Sequence, residues 1–99
     1  MLIHTVYFWL KNDVSDADRA FFRENIDVLT ELDSEACYIG PPAATEARPV
    51  IDASYDIGLT VLFDSIAQHD IYQDHPKHLK FIELCNHLWE RVQVYDAEG

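Results

Sequence analysis

Glycine is scarce in this chain, three widely spaced residues in 99, which excludes the Gly-rich loops that cradle phosphates in nucleotide and dinucleotide sites. No cofactor is therefore expected. Basic residues are few as well: seven Lys and Arg stand against 18 Asp and Glu, for a formal net charge of −11. So acidic a chain repels phosphate backbones and anionic lipid headgroups unless its cations cluster, and they do not. Neither nucleic acid nor a membrane surface is expected as a partner. The two cysteines, Cys37 and Cys85, are too few for a disulfide framework and lack the short spacing of a zinc site, so both are read as reduced, buried thiols. No apolar run approaches the roughly 18 residues of a membrane span, and the first residues lack the basic region and cleavage site of a secretory leader. A cytoplasmic protein is the expectation.

The chain is, by contrast, rich in what builds a core: 48% hydrophobic, with five Phe, five Tyr and two Trp. Disorder is excluded on that composition. Residues 1–99 read as one domain, and a domain this small buries only about two thirds of the surface its unfolded chain exposes. Leu2 to Leu10 reads as a strand apolar on both faces. Ser15 followed by Asp18 resembles a capping box, and Phe22, Ile26 and Leu29 then recur at helical spacing, with Phe21, Val28 and Leu32 widening the stripe, so 15–34 is expected to be an amphipathic helix. Ala36 to Gly40 is a short strand. The proline-rich stretch from Pro41 onward is a long irregular connection, a lid or a dimer contact. Tyr55, Ile57, Leu59, Val61 and Phe63 alternate with mostly polar residues as a third strand.

Asp64-Ser65 starts a helix that must end before Pro76, and Pro76 opens a second helix with His75 as its cap. Leu79, Ile82, Leu84, Cys85, Leu88 and Trp89 are expected to form its buried face, and 91–96 a last strand. The order is an α+β, ferredoxin-like β-α-β-β-α-β arrangement whose second helix is split at Pro76, a four-stranded antiparallel sheet with its helices on one face. Its other face is left open, and each large side chain left in water there forgoes roughly 1.5–3 kcal/mol. Packing against a second copy covers that face with no additional sequence, so a homodimer is predicted.

The most informative segment is Tyr72 to His78, Tyr-Gln-Asp-His-Pro-Lys-His, which places a phenol and two imidazoles beside a helix-breaking proline. Together with Ile3-His4 and the apolar strand up to Lys11, Tyr55-Asp56, Phe63-Asp64-Ser65, Phe81 and Val94-Tyr95-Asp96, it resembles the stress-responsive α/β-barrel (Dabb) family over essentially the whole chain. His75-Pro76-Lys77-His78 carries most of the resemblance. The resemblance implies a dimeric α/β barrel. It also implies a kinship with plant polyketide cyclases, which close an aromatic ring by aldol condensation with a histidine and a tyrosine at the positions of His78 and Tyr72. The chain departs from that branch in its proline-rich turn after the second strand and in Ile57, where a polar group would stand.

The residues support such chemistry on their own terms. A neutral imidazole removes a proton next to a carbonyl, and a phenol donates a hydrogen bond to the resulting oxyanion where water is excluded. His78 and Tyr72 are accordingly the candidate catalytic pair, His78 as base and Tyr72 as donor, weighed against an ordinary half-core histidine and an amphipathic edge tyrosine. His4 shares a strand face with Val6 and Phe8 and lines a pocket or bonds at the sheet edge. His75 is a helix cap and dimer contact first, and a binding residue second. Phe22 and Ile26 are plain core or the apolar end of a ligand cavity. His69 and His87 read as surface residues. His75 and His78 offer only two imidazoles, too few for a metal site, so none is expected. Three classes of function stand: a family member holding an apolar or phenolic small molecule between sheet and helices, a cofactor-independent cyclase-like or lyase-like enzyme, and a purely structural dimer.

Overall fold

β1 (Leu2–Leu10) lies inside the sheet and makes hydrogen bonds along both of its edges. The structure, a computed structural model, describes all residues 1–99. After β1 come α1 (Asp16–Asp27), a 3₁₀ turn (Val28–Glu31), β2 (Ala36–Gly40), β3 (Ile57–Phe63), α2 (Ile66–Asp74), α3 (Pro76–Cys85) and β4 (Trp89–Glu98). The strand order is β2-β3-β1-β4 and every pairing is antiparallel. This is the ferredoxin-like arrangement, with the second helix divided at Pro76. No helix is long and apolar enough to cross a membrane.

Alternation along β1 sorts the molecule into two sides. Leu2, His4, Val6, Phe8 and Leu10 are buried beneath the helices, whereas Ile3, Thr5, Tyr7 and Trp9 point to the other face and retain exposure. The core is a cluster of 15 buried residues, in which Phe8, Phe22 and Phe81 meet one another and the partly buried Trp89 packed against them, with ring centroids 5.2–6.4 Å apart. On the open face Tyr38 and Tyr95 are more than half exposed, and Arg91 lies over the Trp9 ring at 4.2 Å. Gly58 keeps that face low: a Cβ there would come within 3.3 Å of the Tyr7 ring, which lies against Tyr55 at 4.7 Å.

Caps follow the sequence. The Ser15 hydroxyl accepts from the Asp18 N–H, and the Asp18 carboxylate accepts from the Ser15 N–H. Ser65 caps α2 by accepting from Gln68, and His75 Nδ1 caps α3 by accepting from the Lys77 N–H.

Four expectations are corrected. The helix expected over 15–34 ends at Asp27, because the next residues tighten into a 3₁₀ turn in which Thr30 donates to the Asp27 carbonyl at 2.7 Å. The third strand begins at Ile57, not Tyr55. Asp56 interrupts the alternation, its carboxylate accepting from the Leu10 N–H and from Arg19, so Tyr55 joins Tyr7 on the open face. The helix after Pro76 ends at Cys85, and Trp89 opens β4 instead, paired with Leu10 across an irregularity in the ladder. The buried face of α3 is His78, Phe81 and Cys85, while Leu79 and Ile82 are 53% and 36% exposed. Cys85 is buried as expected, and it is Phe81 that replaces Leu79 and Ile82 on that face.

The connection from Pro41 to Asp56 contains no helix or strand. Residues 43–50 are all exposed, and only its end touches the sheet, where the Trp9 indole N–H donates to the Ser54 hydroxyl at 3.0 Å. The loop therefore does not roof the open face.

Phe22 is fully buried and Leu79 is not. Urea unfolding should show Phe22→Ala losing about 3–5 kcal/mol and Leu79→Ala less than about 0.5 kcal/mol; comparable losses would mean that α3 presents a different side to the core.

Candidate functional site

The register of β1 builds the floor of the site. His4 stands opposite Val61 on β3 and Asp96 on β4, Val6 opposite Leu59 and Val94, and Phe8 opposite Ile57 and Val92. Above this floor the cap at His75 turns α3 so that His78 and Phe81 face down. A cavity of about 180 Å³, open on one side, lies between them, walled by Val6, Phe8, Leu59, Phe81, Ile82, Trp89, Val92 and Val94, with His4, Gln73 and His78 as its only polar residues. Its mouth is where Ile82, Val92 and Val94 are 36–43% exposed, because β4 runs beyond the cover of the helices. A wider depression of about 280 Å³ lies on the open face among Tyr7, Trp9, Asp52, Tyr55, Arg91 and Tyr95. It holds no imidazole.

The polar groups around the cavity are held in low dielectric. His78 is buried, its Nδ1 has no hydrogen-bond partner, and burial lowers its pKa, with the neighbouring His4 and His69 rings adding to that. Tyr72 stands behind it with ring centroids 4.9 Å apart. The Tyr72 hydroxyl is also buried without a partner, and burial carries its pKa far above that of a free phenol. Near neutral pH the phenol keeps its proton and can donate it in a hydrogen bond, and the neutral His78 ring can accept a proton. The His4 pKa is likewise lowered by burial, against the pull of Asp96, whose Oδ1 lies 2.5 Å from His4 Nδ1. Burying two such polar groups unpaired costs roughly 1–3 kcal/mol each, a cost that ordinary cores avoid.

The candidate residues separate into three groups. His78 and His4 line the cavity, and Tyr72 backs it. His75 is half-buried and serves as the cap. Phe22 and Ile26 are completely buried behind Phe8 and Phe81 and contribute no surface to the cavity. Three residues were missed. His69, expected at the surface, has a side chain only 15% exposed and lies edge-on to His4 at 5.0 Å. Gln73 reaches both the cavity and, at 3.2 Å, His69 Nε2. Asp96 meets His4 across the ladder. The spacing of His69, Tyr72 and Gln73 along α2, at intervals of three and four, was the available signal.

The sequence matches the family described as Stress responsive A/B Barrel Domain over residues 2–98. The chain belongs to this Dabb family. Solved structures agree on the Dabb fold. A dimeric ferredoxin-like protein of unknown function from Thermobifida fusca YX superposes with a TM-score of 0.81 at 14% identity, covering 99% of this chain and 90% of that one. A Dabb family protein with a ferredoxin-like fold from Mesorhizobium loti gives 0.76 at 22% identity, covering 99% and 95%. The hydroxynitrile lyase of Passiflora edulis gives 0.74 at 16% identity, covering 97% and 90%. No curated protein matches the sequence.

His78 and His4 of this Dabb protein both have pKa values below the free value of 6.5. The unfolded chain therefore takes up protons first, so the stability these rings contribute is complete above pH 6.5 and is lost as pH falls toward the folded values. Thermal melts between about pH 7.5 and about pH 5.5 should show the midpoint falling, with a shallower fall in His78→Gln. An unchanged slope in that variant would mean that His78 is not held neutral by the fold.

Proposed function

We propose that this protein is a cytoplasmic homodimer that binds a single-ring aromatic or phenolic molecule in the cavity between sheet and α3. The carrying observation is the cavity itself: about 180 Å³, apolar on eight of its 11 lining residues, with His4, Gln73 and His78 as the polar groups. Its size selects the ligand class. An apolar cavity of about 150 Å³ accommodates benzene, whereas drug-sized ligands need roughly 300 Å³ or more. One ring with a hydroxyl or carbonyl fits, and a multi-ring polyketide does not. His78 lines the cavity and its Nδ1 has no hydrogen-bond partner, so a ligand hydroxyl or carbonyl that reaches the ring can satisfy it, while Tyr72 stands behind His78, ring to ring.

A second reading is favoured by the pair itself: a cofactor-independent, lyase-like or cyclase-like enzyme with His78 as base and Tyr72 as donor. A neutral imidazole backed by a buried phenol that keeps its proton offers the base and the donor that proton abstraction next to a carbonyl requires. The fold is shared with a hydroxynitrile lyase, a likeness that extends to architecture alone.

Ring-proton NMR of His78, followed while simple phenols, aromatic aldehydes and β-keto acids are added, tests both readings. Single-ring compounds should shift the His78 signals at up to millimolar concentration and naphthols should not. Binding that survives in His78→Ala while turnover of any bound compound disappears points to the enzyme. A His78 ring blind to every compound would leave a purely structural dimer.

The dimer rests on the aromatic open face, where Ile3, Tyr38 and Tyr95 are 44–67% exposed; the Thermobifida fusca and Bacteroides fragilis proteins of the same fold are described as dimeric. Light scattering should give twice the chain mass at micromolar concentration. Tyr38→Glu combined with Ile3→Glu should give the single-chain mass, and a wild-type chain that is monomeric there removes the assembly claim.

A further inference from the structure

The fold assembles a cluster that the sequence keeps far apart. His4 comes from β1, His69 from α2 and Asp96 from β4, and one donor atom from each lies within 4.8 Å of the other two. We propose that His4, His69 and Asp96 bind a divalent first-row transition metal such as zinc, at the end of the cavity away from Phe81.

The donor set fits that class. Two imidazoles and one carboxylate suit zinc, nickel, cobalt or iron(II), not calcium or magnesium, which require mainly oxygen donors. Three protein ligands are also the number found where a position stays open for water or substrate. Distances need only a modest adjustment. Donors around a tetrahedral ion with bonds of about 2.0–2.2 Å stand roughly 3.3 Å apart. The metal displaces to solvent the proton held between His4 Nδ1 and Asp96 Oδ1, their 2.5 Å separation opens slightly, and the longest separation of the cluster closes.

A second observation comes from what lies behind the donors. The Asp70 carboxylate is 3.0 Å from His69 Nδ1, which favours the proton on that nitrogen and leaves the Nε2 lone pair available to a metal. Metal-bound histidines are oriented by such a carboxylate on their other nitrogen. His69 Nε2 is met by the Gln73 side-chain amide at 3.2 Å, a flexible group that swings toward the cavity when the lone pair is engaged. Access is provided by Asp96, whose side chain is 44% exposed while those of His4 and His69 are 4% and 15% exposed. The net charge of −11 draws cations toward the surface. The site shares His4 with the cavity and holds whether or not the cavity takes an organic ligand.

The test titrates zinc chloride into the purified protein by calorimetry, with cobalt(II) absorption as an independent reading of coordination. One zinc per chain is expected, together with visible cobalt bands of a nitrogen and oxygen ligand set. Asp96→Asn and His69→Gln should each weaken zinc by more than about 10-fold, since even the outer partners of metal ligands are worth roughly 10- to 100-fold. Circular dichroism establishes that both variants are folded, and His87→Gln, on the exposed surface, should bind as the wild type does. Absence of binding at millimolar zinc overturns the proposal, as does zinc bound equally well by folded Asp96→Asn and His69→Gln. Loss in Asp96→Asn alone overturns the three-donor site as well.

Discussion

The two-sidedness of β1 is the constraint on which the rest of the structure depends. A strand paired on both edges has no freedom in register, because a slip of one residue would exchange every inward side chain for an outward one. Its even positions carry Leu2, Val6, Phe8 and Leu10 into the core and set His4 among them. Its odd positions put Tyr7 and Trp9 on the opposite surface, where Tyr55, Tyr95 and Arg91 gather around them. Core, cavity floor and open face are thus fixed by one nine-residue segment.

The second determinant is Pro76. It cannot follow α2 as a helical residue, so the chain bends at His75 and restarts, and the cap formed by His75 Nδ1 holds the restart. Tyr72 before the bend and His78 after it thereby come ring to ring, a meeting that one continuous helix, with its 100° per residue, would prevent. Burial then acts on the two groups in opposite directions, lowering the pKa of the imidazole and raising that of the phenol. Both end as neutral species.

Local signals made most of the fold legible in advance. The capping box at Ser15, the break at Pro76 and the alternation of β3 each depend on residues a few positions apart, and the strand order followed from the succession of elements. What depended on distant contacts was not legible. The inward face of α3 is decided by the phenylalanines it meets: His78 and Cys85 point inward as their spacing implies, but Phe81 takes the place expected for Leu79 and Ile82. Trp89 was assigned to a helix on periodicity, but its ladder partner Leu10 and the rings of Phe8 and Phe22 place it on a strand. The site was read in the same uneven way. His78, Tyr72 and His4 carried visible cues, whereas His69 was set aside as a surface residue and Asp96 became a partner of His4 only through a strand register spanning the whole chain.

The mouth of the cavity is made from parts of different stiffness. On one side stand Val92 and Val94 of β4, β-branched residues with restricted rotamers on a strand tied to β1 by a long ladder. On the other stands Ile82, at 36% exposure on a helix. Neither side is a loop, and the long proline-rich connection lies elsewhere. Opening of the mouth then requires only side-chain rotation, a motion of picoseconds to nanoseconds, instead of the slower movement of a backbone lid. A ligand held as proposed would be retained by fit, with no lid to close over it.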